Sequence, residues 1–324
     1  MRRILLILAL LATAACSTTE GLATTSEGSA ATVLEVTTTS GSEPAIESPG
    51  FPVTVIAGNG EVTIEQRPGR IVSLAPTATE VLFAIDAGEQ VVAVDEFSTY
   101  PEEAPTTDLS GFEPNLEAVA DLDPDLVVVS DDLNDIVSAL TAVGIPVIHH
   151  PAAVSLDDAY TQIEQLGAAT GNPEAAAGLV ASMASDIDDL SGSVPDRADP
   201  LTYYHELDGS LFTVTSATFI GEIYELAGLE NIADAADGAD ALYPQLSAEF
   251  IIESDPDLIF LADAQCCGES AETVAARPGW DQLTAVTSGA VVALDEDIAS
   301  RWGPRVVDFL ETIVAATLEL EATG

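Results

Sequence analysis

Two stretches far apart in the chain repeat each other, and that repetition limits the fold more than any other feature. Leu116–Asp132 reads LEAVADLDPDLVVVSDD, and Ala248–Ala264 reads AEFIIESDPDLIFLADA. Each predicts a short helix, then Asp-Pro-Asp-Leu, then an apolar strand that ends in polar residues. The offset of about 132 residues sets Glu117 on Glu249. Ala78–Asp95 and Thr218–Ala235 form a second echo. Between the copies lies NPEAAAGLVASMASDIDDL (Asn172–Leu190). Asn172 is a suitable N-cap, Pro173 fits the first helical position and Glu174 favours the helix N-terminus. Ser191, Gly192 and Pro195 supply the stop. At 1.5 Å per residue this helix is roughly 27 Å long, enough to cross a small domain. The pattern predicts two similar α/β lobes joined by a single long helix, with a ligand cleft between them.

The remaining segments fit that plan. Pro52–Glu65 alternates apolar and polar residues around Gly58-Asn59-Gly60, which predicts a hairpin. Strands are expected at 70–75, 91–94, 126–130 and 146–149 in the first lobe, and at 202–207, 258–261 and 291–294 in the second. Helices between them imply parallel pairing, and ligands of open parallel sheets gather beyond the carboxyl ends of the strands. That rule selects residues 97–100, 131–132 and 149–150 of the first lobe. In the second it selects 211–218, 242–244, 265–268 and 295–301.

The chain begins MRRILLILALLATAAC: two arginines, an apolar run too short to span a membrane, then small residues before Cys16. This predicts a lipoprotein signal over 1–16 with Cys16 as the lipidated residue. The alternative is an ordinary cleaved signal with Cys16 unmodified. Residues 17–50 are Ser, Thr, Glu, Ala and Gly with almost no aromatics, a composition that cannot build a core. As a flexible tether they span roughly 30 Å. The expected organisation is signal (1–16), tether (17–50), first lobe (51–171), linking helix (172–192) and second lobe (193–324). The folded part would then work outside the cytoplasm, lipid-anchored to a membrane.

Of 324 residues, 55 are Asp or Glu and 8 are Lys or Arg, with no lysine at all. A surface this acidic repels nucleic acid and anionic lipid, so neither is an expected partner. No G-x-S-x-G elbow, P-loop or H-E-x-x-H motif occurs, and no catalytic residue is assigned. A surface enzyme or an adhesion module are the rival classes; the first would show turnover and the second would need no ligand-sized cleft.

RIVSLAPTATEVLFAI (Arg70–Ile85), VDEFSTYP (Val94–Pro101), NLEAVADLDPDLVVVS (Asn115–Ser130), FIGEIYELAGLENI (Phe219–Ile232) and SRWGPRVVDFL (Ser300–Leu310) carry a resemblance. They resemble the substrate-binding proteins of bacterial ABC importers for vitamin B12, ferric siderophores and haem, over nearly everything after residue 52. The resemblance implies two Rossmann-like lobes on one long helix, modest closure, and delivery of a bulky metal chelate to a permease with its ATPase. Cobalamin is the first choice, a ferric siderophore the second and haem the third; the protein is expected to act as a monomer without a resident cofactor. Glu117 and Glu249 stand where B12 binders dock onto permease arginines. Tyr100, Phe112, Phe212 and Tyr243 match aromatics that line the B12 cleft, and Asp297 and Arg301 match an acid and a base on its last lip. Ser130–Leu133 stands where a further tryptophan is found in that group.

Single features leave alternatives open. Cys266 and Cys267 can form a vicinal disulfide at the cleft lip or remain free thiols; their spacing fits no zinc site. Histidines occur only at 149, 150 and 205, too few and too scattered for a bare metal site. Tyr204 and His205 can face a haem iron or fill the core. Arg301 is the best candidate for holding an anionic group, and Arg305 is expected to be structural.

Overall fold

The computed structural model describes residues 50–195, 197–236 and 241–323. The signal, Cys16 and the tether up to residue 49 lie outside the described residues. The fold opens with an antiparallel hairpin, β1 (Val53–Ala57) and β2 (Gly60–Ile64), in register Val53 to Ile64. Its turn docks on the first lobe. The Gly58 N–H donates to His149 O at 2.8 Å, and Asn59 bonds both Val147 O and the His149 N–H. A Cβ on Gly58 would lie 2.9 Å from that same carbonyl, so the approach requires glycine.

The first lobe is built on β3 (Ile71–Leu74), β4 (Val91–Val94), β5 (Leu126–Val129) and β6 (Val147–His149). They pair in parallel in the order β4-β3-β5-β6. Its helices are α1 (Pro76–Ala84), α2 (Leu116–Ala120), α3 (Ile136–Ala142) and α4 (Leu156–Thr170). α5 (Pro173–Gly192) leads to the second lobe. There β7 (Leu201–Glu206), β8 (Leu229–Asn231), β9 (Leu258–Leu261) and β10 (Val291–Ala293) pair in the order β8-β7-β9-β10. The two sheets therefore share one topology. The apolar runs IVSL, LVVV and LIFL are buried along their whole length, as central parallel strands covered on both faces must be. The second lobe's helices are α6 (Phe219–Leu226), α7 (Ala248–Ser254), α8 (Ala264–Cys267), α9 (Ala271–Ala275), α10 (Thr284–Ser288), α11 (Glu296–Ala299) and α12 (Val306–Thr323).

The repeated Asp-Pro-Asp-Leu has one physical role in both lobes. Its first aspartate adopts a left-handed backbone (φ 49° at Asp123, 46° at Asp255) in the turn from helix to strand, and Asp255 is itself the C-cap of α7. Its second aspartate ties the strand start to its neighbour: Asp125 Oδ2 accepts from the Gly69 N–H and Asp257 Oδ2 from the Thr202 N–H, each at 2.8 Å.

α4 and α5 pack closely, and Ala176, Met183 and Ile187 of α5 are buried in a core shared by both lobes. The close approach depends on Gly167, where a Cβ would come within 2.3 Å of Ala176 Cβ. Gly167→Ala is expected to lower stability by about 1–3 kcal/mol, as overpacking does, measured as a shift of the urea midpoint. Two local expectations change. Asn172 precedes α5 as expected, but its side chain does not cap it; Asn172 Oδ1 accepts from Arg67 Nη2 at 3.3 Å instead. The helix expected between the strands at 126–130 and 146–149 is shortened, because Asn134 and Asp135 are left-handed and α3 starts only at Ile136. β8, α8, α9, α10 and α11 were not expected. They are three to five residues long, too short for a hydrophobic period to register.

Candidate functional site

In the first sheet the chain leaves β3 toward β4 and returns across to β5, so the topological switch lies beyond the ends of β3 and β5. A cleft of about 340 Å³ opens at that place. Its floor is Leu74–Thr77 after β3 and Ser130–Asp131 after β5. Phe97 and Phe112 wall it from the loops after β4, edge to face with ring centroids 5.2 Å apart. Phe112 is 63% exposed, so most of its ring is open to a ligand. The second lobe closes the cleft with Asp297, Ser300, Arg301 and Trp302, from α11 and the turn before α12.

Arg301 is buried and three of its five N–H donors are occupied. It reaches Glu80 Oε1 at 2.8 Å, Asp297 Oδ1 at 2.6 Å and Phe97 O at 2.9 Å. Arg305 also grips Glu80, through Nη2 at 2.6 Å and Nε at 3.0 Å, and these bonds push its pKa up. Glu80 lies on α1 of the first lobe, so two arginines of the second lobe converge on one buried carboxylate of the first. Thr99 to Asp297 (3.1 Å) and Trp302 Nε1 to Gln162 (2.8 Å) cross the same seam. At the cleft floor Asp95 is nearly buried. Burial pushes its pKa up, and bonds from Ser98 together with the Arg301 charge oppose that rise.

The structure brings Phe112, Asp297 and Arg301 into one cleft. Tyr100 lies elsewhere, stacked under the Arg305 guanidinium at 4.4 Å in an adjoining hollow of about 400 Å³ with Glu80 and Phe83. Phe212 and Tyr243 are partly exposed on the second lobe, on segments tied by a Phe212–Gln245 bridge, and neither is in the wall of this cleft. Glu117 and Glu249 are exposed in the first turns of α2 and α7, each helix capped by a side chain, Asn115 and Ser247. Cys266 and Cys267 are bridged, exposed, and set outside the cleft wall. The Gln265 and Cys266 N–H groups donate to Glu296 Oε1 at 2.7 and 2.6 Å.

The haem-ligand reading of Tyr204 and His205 does not hold. Both side chains are fully buried inside the second lobe. His205 Nδ1 lies 2.8 Å from Tyr224 OH, and burial holds its pKa at about 3. His150 is likewise buried and bonded to Gln165, with a pKa held at about 4. Among the described residues no group of three or more His, Cys, Asp or Glu is arranged to hold a metal ion.

Sequence reasoning missed Glu80 and Asp95. The only signal for Glu80 was a lone charge in the apolar helix PTATEVLFA. It also missed a cluster at the ends of β7 and β9, where Arg277 grips Glu206 through two bonds (2.5 and 2.6 Å) and Glu269 at 2.8 Å. Beside it Asp263 is buried with neither carboxyl oxygen hydrogen-bonded. Burial first, then the Glu206 and Glu269 charges, push its pKa up to about 6. The raised folded pKa means that ionised Asp263 opposes folding. The penalty is absent below about pH 4, grows as pH rises toward 6 and is complete above it. Asp263→Asn should therefore raise Tm at pH 7 by on the order of 2–4 °C, with the gain vanishing by pH 4 in calorimetric scans.

A family model described as a periplasmic binding protein matches residues 71–298. The chain is 37% identical over 269 residues to the cobalamin-binding protein of Halobacterium salinarum, covering 80% of this chain and 72% of that one. It is 32% identical over 273 residues to the ABC transporter substrate-binding lipoprotein YvrC of Bacillus subtilis, covering 81% and 84%. Among solved structures, the periplasmic vitamin B12 binding protein of Vibrio cholerae matches with a TM-score of 0.65 at 27% identity, over 79% of this chain and 98% of that one. The periplasmic haem-binding protein RhuT of Roseiflexus sp. RS-1 matches with a TM-score of 0.67 over 78% and 98%; at 24% identity that likeness concerns the fold alone. Two lobes of one topology, a single connecting helix, a cleft at the switch point and these matches lead to one conclusion: the chain belongs to the periplasmic binding protein family.

Proposed function

We propose that the protein is the extracytoplasmic solute-binding component of an ABC importer, that it takes cobalamin in the interlobe cleft, and that it hands the ligand to a permease. The observation that carries the reading is the cleft itself, with Phe97 and Phe112 exposed over apolar Leu74–Pro76 and with the second lobe opposite. Flat aromatic faces bury a large planar ring well, and a few convergent polar groups orient it. The Halobacterium and Vibrio relatives named for cobalamin or vitamin B12 support the ligand class, and the Bacillus relative supports the importer and the lipid anchor at Cys16. Glu117 and Glu249, exposed at equivalent places in the two lobes, are the proposed permease contacts. Phe112 and Asp297 meet the ligand directly in this reading. Tyr100, Phe212 and Tyr243 join them on lobe rearrangement or contact its outer edge.

Titration of the purified chain with cyanocobalamin by equilibrium dialysis tests the reading. Saturable binding of one ligand per chain, without chemical change to the ligand, is the expected result, and Phe112→Ala should weaken it by roughly tenfold, about 1.4 kcal/mol. No saturable binding would sink the cobalamin assignment; turnover of the ligand would favour the enzyme class.

A further inference from the structure

The charged groups of the cleft are one-sided. Three carboxylates, Asp95, Asp131 and Asp297, face it with a single guanidinium, Arg301. Most of that guanidinium is already committed, since Glu80, Asp297 and the Phe97 carbonyl hold three of its five N–H donors. An anionic group entering the cleft would have to compete with two carboxylates for a cation already neutralised. The ion pairs of Arg301 thereby weaken the attraction that its charge alone would offer an anionic ligand. Asp297 is tied to Arg301 and Thr99, and Asp95 is nearly buried and bonded to Ser98. Asp131 differs from both. It is exposed where it lines the cleft after β5, its Oδ2 meets the neighbouring Ser130 hydroxyl at 3.1 Å, and among the described residues it has no salt bridge. It is the uncommitted charge of the site.

We propose that the cleft ranks ligands by charge, with cationic planar chelates bound most tightly and anionic ones least, and that Asp131 is the specificity-determining residue. The proposal rests on the cleft being the ligand site, as argued above. It accounts for an exposed carboxylate without an ion-pair partner, among the described residues, in a cleft walled by two aromatic rings. It also agrees with the field of the whole chain, which carries a formal charge of −47 and draws cations toward any opening. A unit charge on the ligand held some 6–8 Å from Asp131 at an intermediate dielectric changes affinity by roughly three- to tenfold.

The test uses three corrinoids with the same ring. Aquocobalamin carries one positive charge, cyanocobalamin is neutral, and a cyanocobalamin monocarboxylate, in which one side-chain amide has become an acid, carries one negative charge. Dissociation constants are measured for the full chain and for Asp131→Asn. The expected order of affinity is aquo, then cyano, then monocarboxylate, with roughly three- to tenfold between neighbours, narrowing in Asp131→Asn. The cyano and monocarboxylate forms keep the same axial ligand, so their ratio is free of any exchange with a protein side chain. Added salt should narrow the ratios as well. Equal binding of the three forms, or a ranking untouched by Asp131→Asn, overturns the proposal. If cyanocobalamin does not bind, the cobalamin reading falls, and the charge ranking is read instead from a tetracationic and a tetra-anionic porphyrin. Preference for the cation that is reduced in Asp131→Asn upholds the ranking; no preference, or no binding of either, overturns it.

Discussion

Glu80→Ala should cost the protein about 3–5 kcal/mol, the range measured when one partner of a buried ion pair is removed. The carboxylate is nearly inaccessible and takes three hydrogen bonds from two arginines, Arg301 and Arg305, whose side chains are 9% and 14% exposed. Without it, two guanidinium groups remain in the lobe seam with no compensating charge from the first lobe. Since native stability is of the order of 5–15 kcal/mol, the loss should be visible as a large fall in the urea midpoint. A loss below about 1 kcal/mol would mean that the seam is as wet as a surface pair. The triple variant Glu80→Leu/Arg301→Met/Arg305→Leu separates charge from packing. Replacing the whole network with apolar groups should recover much of the stability, while fluorescence of Trp302, bonded across the same seam to Gln162, reports whether the lobes keep their arrangement.

The second large effect concerns transport. Reversing both Glu117→Arg and Glu249→Arg should lower uptake on the order of 100-fold in cells that depend on this protein, because opposed like charges at an interface cost several kcal/mol. Ligand affinity of the purified variant should stay within about twofold, since both residues are exposed in the first turns of α2 and α7, away from the cleft wall. Each reversal also removes a favourable charge from a helix N-terminus, about 0.3–1 kcal/mol. Gln at both positions controls for that, and should fold like the parent while lowering uptake less. Uptake that survives the double reversal would remove the docking role from these residues.

Much of the architecture was legible before any coordinates. The buried strands are apolar runs bounded by turn residues, and the Asp-Pro-Asp-Leu repeat marks the start of β5 and β9 because its left-handed aspartate is a local device, whereas its second aspartate bonds a residue 56 or 55 positions back in the chain. Of the site, the sequence pointed to the strand ends and to Phe112, Asp297 and Arg301. It had no means of finding what Arg301 does. Its partner Glu80 is 221 residues away, and that of Arg305 is 225 away. A guanidinium that looks wholly available to a ligand in one dimension is paired with a buried carboxylate of the other lobe in three. Tyr100 likewise reads as a cleft aromatic until Arg305 is seen to stack on it.

What the sequence by itself determined is therefore the local and periodic part: two lobes of one topology, the long helix between them, and the loops that meet at the switch point. These follow from side-chain periodicity and backbone preferences acting over a few residues. Only the tertiary structure decided which charges are spent and which remain free. Coulomb energy depends on distance in space and on burial, and neither is written in the separation of two residues along the chain.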